Sequence, residues 1–155
     1  MNLEQLGLFG VFLAGAIPWF EAIGVVPAGI LFGLDPVATV LAAAAGNILT
    51  IALFAFAGDR IRSRVIARRK ASGKGPKSDR WAKAQKSFDK YGIFGMALLG
   101  PLFIGTQFAA AASVAAGVRP AKVTLLVSAS MVLWAVFVAW LSVVGGLDTV
   151  LGHND

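Results

Sequence analysis

The sequence predicts an all-helical integral membrane protein, an inverted repeat of a re-entrant helical hairpin followed by a transmembrane helix, with an amphipathic helix on the cytoplasmic surface. Three observations predict this. First, 57% of the 155 residues are hydrophobic and only 14% are charged, where a soluble domain carries about 25% charged residues. Second, the 14 Lys and Arg residues fall in two places only, between Arg60 and Lys90 and at Arg119 and Lys122. Third, the apolar blocks left between the charges form two similar halves.

The first block, Leu6 to Gly33, holds 28 residues. A helix rises about 1.5 Å per residue and needs about 20 residues to cross the bilayer, so this block is too long for one untilted span and too short for two. It is also interrupted by Pro18, Glu21, Gly24 and Pro27, and Pro and Gly at this density end helices. Two half-helices forming a re-entrant hairpin over 6–33 account for both facts. Next comes Val37 to Ala57, 21 residues without a charge, placing a transmembrane helix over 37–58.

Residues 59–91 form the basic segment. Ala71 to Lys77 reads as a flexible breaker, and Ser78 or Asp79 then caps a helix whose apolar stripe is Trp81, Ala84, Phe88 and Tyr91. Lysines occupy its other faces, the pattern of a helix lying on a membrane surface. Arg68, Arg69, Lys70, Trp81, Lys83 and Lys86 are the residues expected to meet lipid headgroups. The second broken block, Gly92 to Gly117, is interrupted at Gly100, Pro101, Gly105, Thr106 and Gln107, giving a second hairpin over 92–118. A last uncharged block, Val123 to Gly146, places a transmembrane helix over 121–146.

Lys- and Arg-rich loops stay on the cytoplasmic side, so both basic stretches share that side. Glu4, Asp35, Asp148 and Asp155 lie in segments without a basic residue and fall outside, with both termini. The first hairpin then enters from the outside and the second from the cytoplasm. This bias also accounts for the net charge of +6 without nucleic-acid binding. Ala14-Gly15-Ala16 follows a short apolar run as a signal cleavage site would, but Asn2, Glu4 and Gln5 supply no positive n-region, and the N-terminus is read as mature structure. The expected location is a bacterial inner membrane.

The halves align residue by residue. Leu8-Phe9-Gly10 matches Ile93-Phe94-Gly95, Gly15 matches Gly100, and after a one-residue adjustment Gly33 and Pro36 match Gly117 and Pro120. Paired interrupted segments of this kind mark midplane sites in secondary transporters.

The chain contains no cysteine and one histidine, His153, so no metal site, no cofactor and no catalytic triad or phosphate-binding loop is expected. It is not read as an enzyme. The chemistry lies in a few polar residues. Glu21 is the only charge inside an apolar block; burial disfavours a carboxylate's charged form, which makes Glu21 a candidate for reversible protonation. A plainer role is capping a half-helix that starts near Pro27. Thr106 and Gln107 sit at the corresponding break and offer neutral hydrogen bonds to a polar headgroup or to Glu21 across the centre. Asn47 in the first span offers either a pathway contact or an interhelical hydrogen bond. Pro18, Pro27, Pro101 and Gly105 shape the breaks.

Phe20-Glu21-Ala22-Ile23-Gly24-Val25-Val26-Pro27, followed by Gly29, Gly33, Pro36 and Gly46-Asn47, resembles the small multidrug export protein family, which is similar to the wider DedA membrane proteins. Pro101-Leu102-Phe103-Ile104-Gly105-Thr106 resembles that family's Pro-x-x-Gly-Thr turn. The resemblance implies two opposed re-entrant hairpins and the movement of lipid carriers or drugs, linked to protons. Two features depart from the pattern: Ile23 stands where the family often carries Arg, and the second hairpin lacks the arginines of DedA proteins. The function expected is transport or flipping of an amphipathic substrate (a polyprenyl lipid, a phospholipid with its lipid phosphate, or a drug-like small molecule). The alternative is a non-transporting membrane scaffold or assembly protein. Membrane lipid is the expected partner, and so small a chain is expected to form a homo-oligomer.

Overall fold

A computed structural model describes residues 2–18, 20–73 and 92–145. Among the described residues there are six helices and no strand: α1 (Leu3–Ala16), α2 (Glu21–Leu31), α3 (Pro36–Ala71), α4 (Ile93–Phe103), α5 (Thr106–Ala115) and α6 (Pro120–Val144). They form two compact units, Met1–Thr50 with Ser128–Asp155, and Ile51–Val127.

In the first unit, α1 opens on a reciprocal cap. The Gln5 N–H donates to Asn2 Oδ1 at 2.8 Å and the Asn2 N–H donates to Gln5 Oε1 at 3.1 Å. It stops at Ala16 because Ile17 precedes Pro18, and a residue before proline is pushed out of the helical region; Ile17 is extended, with φ −82° and ψ 124°. α2 packs back against α1. Its end is a Schellman motif: Gly33 adopts φ +80°, its N–H bonds the Ile30 carbonyl at 2.9 Å, and the Leu34 N–H bonds the Gly29 carbonyl at 3.1 Å. Asp35 then caps α3 by accepting from the Ala38 N–H at 2.8 Å, with Pro36 at the first helical position, where its missing N–H costs nothing. Small residues let α1 reach the backbone of α3. A Cβ at Gly15 would lie 2.6 Å from the Ala43 carbonyl oxygen, and one at Gly46 would overlap the Phe12 carbonyl.

In the second unit, α4 packs against α5 through Gly100, where a Cβ would come within 2.6 Å of Ala109 Cβ. Gly105 separates them at φ 89° and ψ 145°, a region other residues rarely enter. The Phe54 ring on α3 meets Phe108 edge-on at 6.2 Å. α5 ends in the same Schellman motif as α2, with Gly117 N–H to the Val114 carbonyl at 2.8 Å and Val118 N–H to the Ser113 carbonyl at 3.1 Å.

The element boundaries therefore repeat as the residues do. Glu21 and Thr106, the first residues of α2 and α5, are separated by the same interval as Leu8 and Ile93. Pro36 and Pro120, the first residues of α3 and α6, are separated by the interval of Gly33 and Gly117. Each broken block is two short helices packed as a hairpin.

The breaks fall at Pro18 and Gly105, as expected, but not at the other two prolines. Pro27 lies inside α2 and Pro101 inside α4. Interior prolines are tolerated in membrane helices because neighbouring groups re-satisfy the freed carbonyl. The interruptions are at Ile17–Phe20, around Pro18, and at Ile104–Gly105. The helix expected over 37–58 also continues to Ala71. Asp59 to Ala71 contains neither Gly nor Pro, and Arg68, Arg69 and Lys70 in the last turn suit the negative end of the helix dipole; Gly73, at φ +68°, follows its end. The helix expected from Ser78, with Trp81, Lys83 and Lys86, lies outside the described residues.

Only α3 and α6 are long and apolar enough, among the described helices, to cross a membrane. The other four hold 14, 11, 11 and 10 residues and rise at most about 21 Å, short of a roughly 30 Å hydrocarbon core. Leu41, Leu53 and Phe56 on α3 and Leu125, Leu133 and Trp140 on α6 are exposed, a quantity of apolar surface that suits lipid rather than water.

Candidate functional site

Three buried polar side chains, Glu21, Thr106 and Gln107, stand at the first positions of short helices. Glu21 is the first residue of α2 and is only 7% exposed. It is also the one non-glycine residue with positive φ, 36°, among the described residues. A side chain there costs roughly 1–3 kcal/mol of backbone strain and persists only where the surroundings hold it. The sequence causes this directly: Pro18 ends α1, and the chain must reverse within four residues to start α2. Glu21 does not cap a helix starting near Pro27, because α2 starts at Glu21 itself and Phe20 at the cap supplies no side-chain hydrogen bond. Its carboxylate sits in the first turn, where the helix dipole favours negative charge.

Asn47 is fully buried on α3 in the same unit. It follows Gly46, where the backbone of α1 crosses, and its carbonyl accepts from the Thr50 hydroxyl at 3.0 Å. Ser128 and Ser130 on α6 are buried there too. An apolar groove of about 380 Å³ lies between α1 and α2, with Gly7, Gly10, Val25 and Gly29 in its walls. The sequence reading did not foresee it; the glycines of α1 at helical spacing were its only trace.

In the second unit Thr106, the first residue of α5, and Gln107 are fully buried. The Thr106 hydroxyl donates to Gln107 Oε1 at 3.0 Å, which holds the amide in a fixed orientation. Gly105 before them provides the turn. Ser113 on α5 is fully buried, but its hydroxyl is satisfied within the helix by the Ala109 carbonyl at 2.7 Å. Thr124 on α6 was missed by sequence reading. Its hydroxyl and those of Ser128 and Ser130 are buried without a hydrogen-bond partner among the described residues. The available signal was the pair Thr124 and Ser128, one turn apart in an otherwise apolar helix.

Arg68, Arg69 and Lys70 are exposed on the last turn of α3. No cluster of His, Cys, Asp and Glu suited to a metal occurs among the described residues.

Apolar helices of spanning length, paired with short helical hairpins that bury polar residues at their turns, define a helical transmembrane protein. The chain belongs to the small multi-drug export protein family, whose model matches residues 21–137. The matched stretch opens at Glu21 and takes in α2 through most of α6. Comparison with curated proteins and with solved structures gave no match.

Proposed function

We propose that this protein is a DedA-like transporter or flippase of a bacterial inner membrane that moves an amphipathic substrate in a proton-linked step through Glu21. One observation carries the reading: a buried carboxylate held at positive φ at the first position of a half-helix, in a chain whose apolar blocks contain no other charge. A charge at bilayer depth costs about 2.5–3.5 kcal/mol. A helix N-terminus returns up to about 2 kcal/mol in a favourable buried geometry. Burial and the helix terminus thus act in opposite senses on the charge, and a proton or a bound substrate can shift a balance between two such states. The family's name points to export, and pairs of short apolar helices suit the interrupted segments that line transport sites.

The test is flux of an amphipathic dye or lipid probe in reconstituted vesicles, measured against pH for wild type and Glu21→Gln. Wild-type flux should change across the titration of Glu21, and the variant, fixed in a neutral form, should lose that dependence. If both respond to pH alike, Glu21 is structural. If the variant and wild type are equally inactive with every probe while the protein remains folded, the scaffold reading takes its place.

A further inference from the structure

α3 is longer than a bilayer is thick. Its uncharged stretch, Val37 to Ala57, rises about 31 Å and by itself crosses a hydrocarbon core of roughly 30 Å. The helix then continues unbroken to Ala71. These last turns carry six basic residues, Arg60, Arg62, Arg64, Arg68, Arg69 and Lys70, and one acid, Asp59. All six are exposed except Arg62, which is half-buried. Arg60, Arg64 and Arg68 follow one another at one-turn intervals on one face, where like charges repel. The end of α3 therefore presents dense positive charge that its own sequence does not offset.

A second element marks the level at which this charge begins. A Cβ at Gly58 would lie 3.8 Å from Ala111 Cα and 3.9 Å from Val114 Cβ, so the end of α5 packs beside α3 at Gly58. There Gly117 turns the chain, and the exposed Arg119 is the first charge after α5. Both elements thus pass from apolar to basic at the same height.

Helical rise then sorts the six residues. The headgroup zone extends about 5–8 Å beyond the hydrocarbon. Counted from Gly58, Arg60, Arg62 and Arg64 rise about 3, 6 and 9 Å, and Arg68 to Lys70 about 15–18 Å. Side chains lean toward a helix's N-terminus, which on α3 is back toward the hydrocarbon, so the first three reach the headgroups. The last three stand beyond that zone by about a Debye length, roughly 8 Å at physiological salt. Among the first three lie Ile61 and Val65, 61% and 51% exposed. A surface that alternates basic and apolar groups suits an anionic head joined to apolar chains, whereas a soluble anion or a nucleic acid would leave Ile61 and Val65 in water.

We propose that Arg60, Arg62 and Arg64, with Ile61 and Val65 between them, form a binding surface for anionic phospholipid, and that Arg68, Arg69 and Lys70 stand above it and take no part. The lipid is held at the edge of the protein and is not moved, so the site stands whether or not the protein transports.

The test uses the full chain in nanodiscs of mixed phosphatidylglycerol and phosphatidylcholine, where both faces are open and a change of charge cannot act through topology. The native chain has no cysteine, so Ala67→Cys, at an exposed position between the two basic groups, takes a single donor fluorophore. The acceptor is a trace of either lipid carrying the same fluorophore on an acyl chain. Energy transfer to labelled phosphatidylglycerol should exceed that to labelled phosphatidylcholine, and added salt should shrink the difference. Arg60→Gln, Arg62→Gln and Arg64→Gln together should lower this preference about fivefold or more, since about 1 kcal/mol for even one basic residue near a charged surface is a factor of about five. Arg68→Gln, Arg69→Gln and Lys70→Gln together remove the same charge and should leave it unchanged. Equal transfer to both lipids in the protein with its six basic residues intact overturns the proposal, whatever the variants do. An equal loss in the two triple variants overturns it too, because net charge and not height would then decide. So does loss of the preference when inorganic phosphate is added at constant ionic strength, which would assign the arginines to a soluble anion.

Discussion

Adding one methyl group at Gly46 should push α1 off α3. A Cβ built there overlaps the Phe12 carbonyl oxygen and lies 3.0 Å from the Ala16 nitrogen and from the Phe12 carbonyl carbon. All three are backbone atoms of α1 or its last residue, so no side-chain rotation relieves the contact and the helices themselves must separate. Overpacking of this kind costs about 1–3 kcal/mol, offset by the roughly 0.5–1 kcal/mol that Ala gains over Gly inside a helix. Gly24→Ala is the matched control, because its Cβ meets nothing within 4 Å and only the helix gain remains. Gly46→Ala should therefore be destabilised and Gly24→Ala slightly stabilised, a difference of about 1–3 kcal/mol between two single-methyl changes. Unfolding in mixed micelles of nonionic detergent and dodecyl sulfate, followed by circular dichroism, measures this. If Gly46→Ala is as stable as Gly24→Ala, the backbone contact between α1 and α3 is not made, and the packing argument fails.

Other expectations follow from the backbone. Glu21→Gly should be more stable than Glu21→Ala by about 1 kcal/mol, because both lack the carboxylate and only glycine accepts φ 36° without strain; equal melting temperatures would remove the strain from the account. Gly105→Ala should lose roughly 1–3 kcal/mol, since φ 89° is unfavourable for any side chain, and a wild-type melting curve would contradict this. Asp35→Ala removes the cap on the Ala38 N–H and should lower stability by about 1 kcal/mol, restored largely by Asp35→Ser in the same unfolding experiment.

The two halves were legible because the signals that mark them are local. Gly33 and Gly117 sit at helix ends that need positive φ, and Pro36 and Pro120 sit at first helical positions that need no N–H, so each position declares a helix boundary. The breaks were only half legible. Four helix-breaking residues crowd the first block, and the sequence does not say which will act. Pro18 ends α1 because it dictates the conformation of Ile17, whereas Pro27 costs one hydrogen bond in a helix otherwise held by its packing against α1. Glu21 stood out as a lone charge, but its position as the first residue of α2, and its strained backbone, depend on where that break falls. The extension of α3 to Ala71 is not visible in the hydropathy, because positive charge ends the apolar block without ending the helix. Charge bounds what enters lipid, and the helix itself has no reason to stop before Ser72-Gly73. The groove was least visible, since it is space between two helices and no residue type encodes it alone.

The proposed transport requires hairpins that enter and leave the membrane on one side each, and on opposite sides from one another. Single cysteines at Asn2, Asp35, Ser72 and Arg119, all exposed residues flanking the hairpins, can be probed in intact cells with a membrane-impermeant maleimide, before and after permeabilisation. The native chain has no cysteine, so no background needs removing. Asn2 and Asp35 should label in intact cells, and Ser72 and Arg119 only once the membrane is opened. Labelling of Asn2 and Asp35 from different sides would make the first block a full span, and labelling of Asp35 and Arg119 from the same side would contradict the inverted arrangement.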